Sequence, residues 1–98
     1  MHIYKVAGTV TLNRAHPSYL GSVLKLAEPI GETLIGQVTP EPDAIVVWDE
    51  LGAAVGSIIA VADGAEAAQP FRPNLKPVDA YNSAILDEIN INTQLLKD

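Results

Sequence analysis

At 98 residues, against roughly 150 for a typical domain, the chain has room for one domain with one core. Hydrophobic residues make up 48% of it and charged residues only 18%, below the roughly 25% of an ordinary soluble domain, so a free protomer lacks charge to cover its outside and self-association is expected. Twelve acidic residues against six scattered basic ones argue against a nucleic-acid partner, and the absence of cysteine removes thiolate catalysis, disulfides and Cys-ligated metals.

The N-terminal residues Met1 to Lys5 have no apolar signal core, and no apolar run approaches the ~18 residues of a membrane span, which together predict a soluble, intracellular protein with no membrane partner. From Tyr4 the apolar residues Val6, Val10 and Leu12 fall at even positions between polar ones, a half-buried strand interrupted by a bulge or bend at Gly8. Asn13 to Gly21, with His16-Pro17-Ser18, reads as a turn. A second strand is predicted over Val23 to Ala27, stopped by Pro29. Gly31 to Asp43 follows as a long loop, with Thr33 to Ile35 a candidate edge strand.

Ala44 to Trp48 is a continuous apolar run of strand length, and Leu51 to Gly56 is a loop of small residues. Ser57 to Ala62 is another buried-type strand. Gly64 to Gln69 has the alanine content of one or two helical turns, ended by Pro70. The last segment admits two readings. Val78, Tyr81, Ile85 and Ile89 have helical spacing, whereas Ala84-Ile85-Leu86 and Ile89-Asn90-Ile91 suit a strand. Residues 92–98 read as a polar tail.

No catalytic constellation stands out in the sequence. His2 and His16 lie far apart and read as solvated terminal and loop residues, so no metal or acid–base role is assigned to them. Gly56-Ser57 lacks the downstream glycine of a nucleophile elbow, and Gly31 to Gly36 lacks the lysine of a phosphate loop. Asp49-Glu50 and Asp87-Glu88 are adjacent pairs whose side chains point opposite ways on a strand, which suits solvated or interface charges better than paired catalysis. Trp48 suits the core or a subunit contact, since a base-stacking role would need a basic groove around it.

Several of these residues together resemble the EutN/CcmL family of microcompartment shell proteins. They are Val6-Ala7-Gly8-Thr9-Val10, the turn His16-Pro17-Ser18 with Leu20-Gly21, the loop Asp49 to Gly56, Val61-Ala62 with Gly64, and Pro77-Val78-Asp79-Ala80 followed by Ala84 to Ile89. The resemblance spans about residues 1–91. Departures include Ala54 in place of a usual glycine, Ala65 to Ala68 in place of a segment ending in arginine, and Ala84 for glycine. Trp48 and Pro70-Phe71-Arg72-Pro73 are not features of the family pattern.

The resemblance implies a mainly β fold: a small five-stranded OB-like barrel over residues 1–91 with one short helix, the last segment being a strand through about Ile91. It also implies a structural function, a homopentameric vertex of a bacterial microcompartment shell in the bacterial cytoplasm, with a hexamer as the lesser alternative. Hexameric shell tiles are the further partner; no cofactor and no catalytic residue are required. A closed ring needs two different faces of each chain in contact. Gly52, Ala53, Ala54 and Gly56 are the candidates for a loop at the ring axis, and Trp48, Asp87, Ile89 and Ile91 for lateral contacts. On that placement, Trp or Asp at Ala53 is expected to disturb assembly more than folding. The rival reading is a stand-alone OB-like binding module, which needs a concave basic or aromatic face; a small hydrolase is a more distant one.

Overall fold

A computed structural model describes residues 1–19, 21–30, 43–74, 76 and 78–90. The candidate edge strand at Thr33 to Ile35, Ile91 and the tail 92–98 lie outside the described residues.

Five strands form the architecture: β1 (His2–Val10), β2 (Leu24–Pro29), β3 (Ile45–Trp48), β4 (Ile58–Asp63) and β5 (Ala80–Leu86). They close into a barrel in the order β1-β2-β3-β5-β4, every pairing antiparallel except β3 with β5. Among the described residues, closure pairs every strand with two neighbours, which disfavours association by strand addition. The interior is small and filled by Val6, Ala27, Val47, Ile59, Val61 and Ala80, with Tyr4 and Ile45 packed against them. Small and β-branched side chains suit the narrow lumen that five strands enclose.

The bulge expected at Gly8 is present: Val6 pairs with Ala27 and Gly8 with Leu26, so β1 spends one extra residue there. The consequence was not visible in the alternation. One extra residue reverses the facing of the rest of the strand, so Val6 points into the barrel while Val10 pairs with Leu24, and Leu24 with Trp48, on the outer face. The apolar residues of β1 therefore serve two surfaces, and Leu12 lies beyond the strand, exposed.

The outer face around Trp48 is covered by two short 3₁₀ segments, Pro17–Tyr19 and Gly64–Phe71. Trp48 stacks on Tyr19 at 6.1 Å and meets Phe71 edge-on at 4.9 Å, and Phe71 in turn meets Tyr81 at 5.5 Å. These rings form a second, aromatic cluster outside the barrel wall. The short helix expected over Gly64 to Gln69 is thus a 3₁₀ segment, and Pro70 lies inside it instead of ending it. Asp63 at its start does not cap it, because that carboxylate pairs with the His2 ring at 2.9 Å; Gly64 N–H instead donates to Asp79 C=O.

The last segment is a strand, but a shorter one than the family pattern implied. β5 stops at Leu86, which pairs with Ile58, the first residue of β4. Beyond that point β4 offers no partner, so Asp87 to Asn90 leave the sheet.

Candidate functional site: the 49–57 loop

The loop from Asp49 to Ser57 leaves the end of β3, crosses one mouth of the barrel and enters β4. Its organising group is Asp49, 1% exposed. Leu51 N–H donates to Asp49 Oδ1 at 3.0 Å, Ala53 N–H to Oδ2 at 2.8 Å, and Asn82 Nδ2 to Oδ1 at 3.0 Å. Asp49 is therefore no solvated charge, unlike the reading of Asp49-Glu50 as solvated or interface charges. An aspartate that leaves a strand and accepts from backbone N–H groups two and four residues on satisfies donors the turn would otherwise bury unpaired.

Asn82 is itself fully buried, and its Oδ1 accepts Ala84 N–H at 3.2 Å. The Asp49–Asn82 bond sits beside the thinnest seam of the barrel, where β3 and β5 are joined by the single pair Trp48 and Tyr81. A side-chain bond thus reinforces a ladder too short to hold by itself. On the exposed side of the same seam, Tyr81 Oη donates to Glu50 Oε1 at 3.0 Å. Burial first, then the hydrogen bond and charge of Glu50 and the charge of Asp49, raise the Tyr81 pKa above its usual value and keep the phenol protonated as a donor.

The far half of the loop is a tight turn. Ser57 N–H donates to Ala54 C=O and Ala54 N–H to Ser57 Oγ, while Gly56 N–H donates to Val6 C=O and Ser57 C=O accepts Val6 N–H. The loop is stapled in this way to β1 just before its bulge. Gly52 and Gly56 have φ of 77° and 92°, where a Cβ is disfavoured, and no other residue type in the described chain has positive φ. Ala54 in place of the usual glycine consequently carries no backbone strain. Gly56→Ala is expected to lower stability by about 1–2 kcal/mol, read from the urea midpoint, while Ala54→Gly stays within about 1 kcal/mol of the parent.

The four residues proposed for the ring axis do not share one environment. Gly52, Ala54 and Gly56 are exposed, but Ala53 is 2% exposed and belongs to the barrel core. The expectation that Ala53 reports on assembly is corrected by this burial: a large or charged side chain there enters the core first. Trp48, read as a core residue or a subunit contact, fits the first of these readings. At 5% exposure it has almost no surface to offer a neighbouring chain, its ring being consumed by Tyr19 and Phe71. Asp87 is exposed and Ile89 half-buried.

Two residues that composition does not single out are Leu51 and Val55, 49% and 67% exposed on this same loop. The alternation rules for strands do not reach a loop, so only the loop's hydrogen bonding reveals that Asp49 and Ala53 turn in while Leu51 and Val55 turn out. Asp49 itself did carry a signal: an aspartate between an apolar strand and a glycine-bearing loop. Asn82 carried none.

Comparison with known proteins agrees with this architecture. The sequence pattern of the family described as "Ethanolamine utilisation protein EutN/carboxysome" (EutN_CcmL) matches residues 1–87. The chain is 31% identical over 96 residues to the carboxysome shell vertex protein CcmL of Gloeobacter violaceus, covering 98% of this chain and 92% of that protein. The solved structure of CcmL from the same organism superposes with a TM-score of 0.81 at 30% identity, over 95% of this chain and 92% of that one. The GrpN pentameric microcompartment shell protein of Rhodospirillum rubrum gives 0.78 at 29% identity, over 94% and 100%. A closed five-stranded barrel, a 49–57 loop pinned to its mouth and a sequence match over residues 1–87 converge on one conclusion: the chain belongs to the EutN/CcmL family.

Proposed function

We propose that the protein is a structural shell protein, a homopentamer that occupies the vertices of a bacterial microcompartment. The observation that carries this reading is likeness along nearly the full chain, at about 30% identity, to a carboxysome shell vertex protein and to a pentameric shell protein. A flat sheet of six-fold tiles cannot close without five-fold points, and a ring of five such chains supplies them. Hexameric tiles of the same shell are the second partner, and the shell within the bacterial cytoplasm is the location. The role asks for shape alone, so no catalytic residue and no cofactor is assigned.

The surface supports such a ring. A closed cyclic assembly joins one face of each protomer to a different face of the next. The exposed apolar residues Leu51 and Val55 stand on a loop held rigid by Asp49 on one side and Val6 on the other, so they meet a neighbour at little entropic cost. In this assembly the loop with Gly52, Ala54 and Gly56 faces the axis, and the segment with Asp87 and Ile89 contributes to the lateral contact. Native mass spectrometry tests the reading. The expected species is about 52 kDa, five times the 10.4 kDa chain. A monomer across micromolar concentrations overturns it, and a six-fold mass overturns the stoichiometry.

A further inference from the structure

The segment Pro70-Phe71-Arg72-Pro73, which stands apart from the family pattern, has no part in the loop described above. Its Arg72 lies, with Ala65, Ala68 and Gln69, on one side of a cleft of about 680 Å³ whose other side is formed by His16, Ser18 and Tyr19. Phe71 is locked among Trp48 and Tyr81, which sets Arg72 at the rim. Lys76 also lines the cleft, its Nζ donating to Ser18 C=O at 3.0 Å and so tying the two walls together. Two of the chain's six basic residues therefore meet in one place, and no carboxylate among the described residues lines it.

The polar side chains here include donors that have no acceptor among the described residues. The side chains of Arg72, Gln69 and Asn74 line the cleft and engage nothing among the described residues. His16 Nδ1 accepts Ser18 N–H at 3.1 Å and meets Ser18 Oγ at 2.8 Å, which leaves the ring proton on Nε2 as a further donor. Ala65, Ala68 and Tyr19 add an apolar floor. A chain of net charge −6 repels anions in general, so a local site free of carboxylates is what an anion requires. A guanidinium presents a planar fork matched to carboxylate and phosphoryl oxygens, with an ammonium beside it as a point charge.

We propose that the cleft between the His16–Tyr19 turn and the Gly64–Lys76 segment binds a small organic oxyanion, its carboxylate or phosphoryl group held by Arg72 with Lys76, Asn74 and the His16 ring. The apolar floor takes the carbon part of the molecule, and the cleft volume lies in the range of small-molecule sites.

The test is a titration of the assembled, isotope-labelled protein with inorganic phosphate and, separately, citrate, at constant ionic strength, followed by amide chemical shifts. The expected result is a saturable shift of amides in 16–19 and 64–74, with phosphate and citrate affinities telling phosphoryl from carboxylate preference. Arg72→Gln weakens the preferred anion about tenfold or more, the value of one charge-assisted contact, while Lys5→Gln on β1 leaves it unchanged. Because Lys76 also bridges the walls, Arg72→Gln is the deciding variant. Absence of saturation through the millimolar range, or equal binding by Arg72→Gln, overturns the proposal. So does a change in assembly mass in Arg72→Gln, since the cleft would then be receiving an acidic side chain of a neighbouring protein. The wild-type mass is measured separately, so failure here leaves the vertex reading standing.

Discussion

Asp49→Ala is expected to lower the free energy of unfolding by about 3–5 kcal/mol, the largest effect of any single polar substitution in this chain. The carboxylate receives three donors, and the truncation strands all of them: Leu51 N–H, Ala53 N–H and Asn82 Nδ2. Each donor left buried without an acceptor costs about 1–3 kcal/mol, less where water can reach it. Leu51 N–H is only part-buried and recovers most, whereas Ala53 N–H and Asn82 are buried. A small domain has about 5–15 kcal/mol in total, so the variant sits at the edge of folding. Asp49→Asn retains one acceptor oxygen and is expected to lose less.

Asn82→Ala removes one donor to Asp49 Oδ1, which keeps Leu51 N–H, and strands only the part-buried Ala84 N–H, so it is expected to cost less than Asp49→Ala. The double variant falls short of the sum of the two, because the Asp49–Asn82 bond is counted once in each single change. Urea unfolding at one fixed protein concentration measures these differences, fixed because any assembly adds its own stabilisation. If Asp49→Ala unfolds within about 1 kcal/mol of the parent, the loop does not depend on this carboxylate in the way its geometry requires.

The second large effect separates assembly from folding on the same loop. Val55→Asp is expected to reduce the ring to the 10.4 kDa chain, with far-UV circular dichroism and melting of the protomer preserved. Val55 is 67% exposed, so the protomer loses little burial from the change; a ring of five instead gathers five new carboxylates at like positions in its contacts. Ala53→Asp, two residues earlier, has the opposite signature. Its side chain would enter an apolar core of Val6, Ala27, Val47 and Ile59, and a loss of folded protein precedes any question of assembly. Intact rings from Val55→Asp would remove this loop from the subunit contact. Folded, dissociated protomers from Ala53→Asp would contradict the burial of that residue.

Much of the barrel was legible along the chain. Strands β2, β3 and β4 fall within a residue or two of the apolar runs that announce them, because a buried strand must be apolar for its length and is cut by Pro, Gly or charge. The glycine of β1 marked its bulge correctly. The C-terminal pattern was degenerate between helix and strand, since Val78, Tyr81, Ile85 and Ile89 satisfy one spacing and Ala84 to Ile91 the other. Family resemblance resolved it in favour of a strand, yet extended the strand past Leu86, which already pairs with the first residue of β4, Ile58, so that no residue of β4 remains to pair with it.

The candidate site was legible as a stretch and not as a set of roles. Small residues from Gly52 to Gly56 pointed to a tight loop, and two of its glycines do need positive φ. Which of its residues look inward could not be read, because facing in a loop is set by hydrogen bonds to distant partners. Asn82 is 33 positions from Asp49, and nothing local to either names the other.

By itself the sequence determined one small domain, poor in charge and built on strand-length apolar runs, and it carries the motif order of a shell-protein family. Size and charge come from composition and the runs from periodicities that each residue carries with its immediate neighbours, whereas the β-barrel class came from the resemblance of the motifs to that family. The tertiary structure alone decided that Trp48 is shielded and Ala53 interior, that Leu51 and Val55 are the exposed large apolar residues of this loop, and that Arg72 and Lys76 share a cleft lined by no carboxylate among the described residues. Each of those is fixed by barrel closure, which brings residues far apart in the chain within a few ångströms and leaves the rest to face solvent or another protomer.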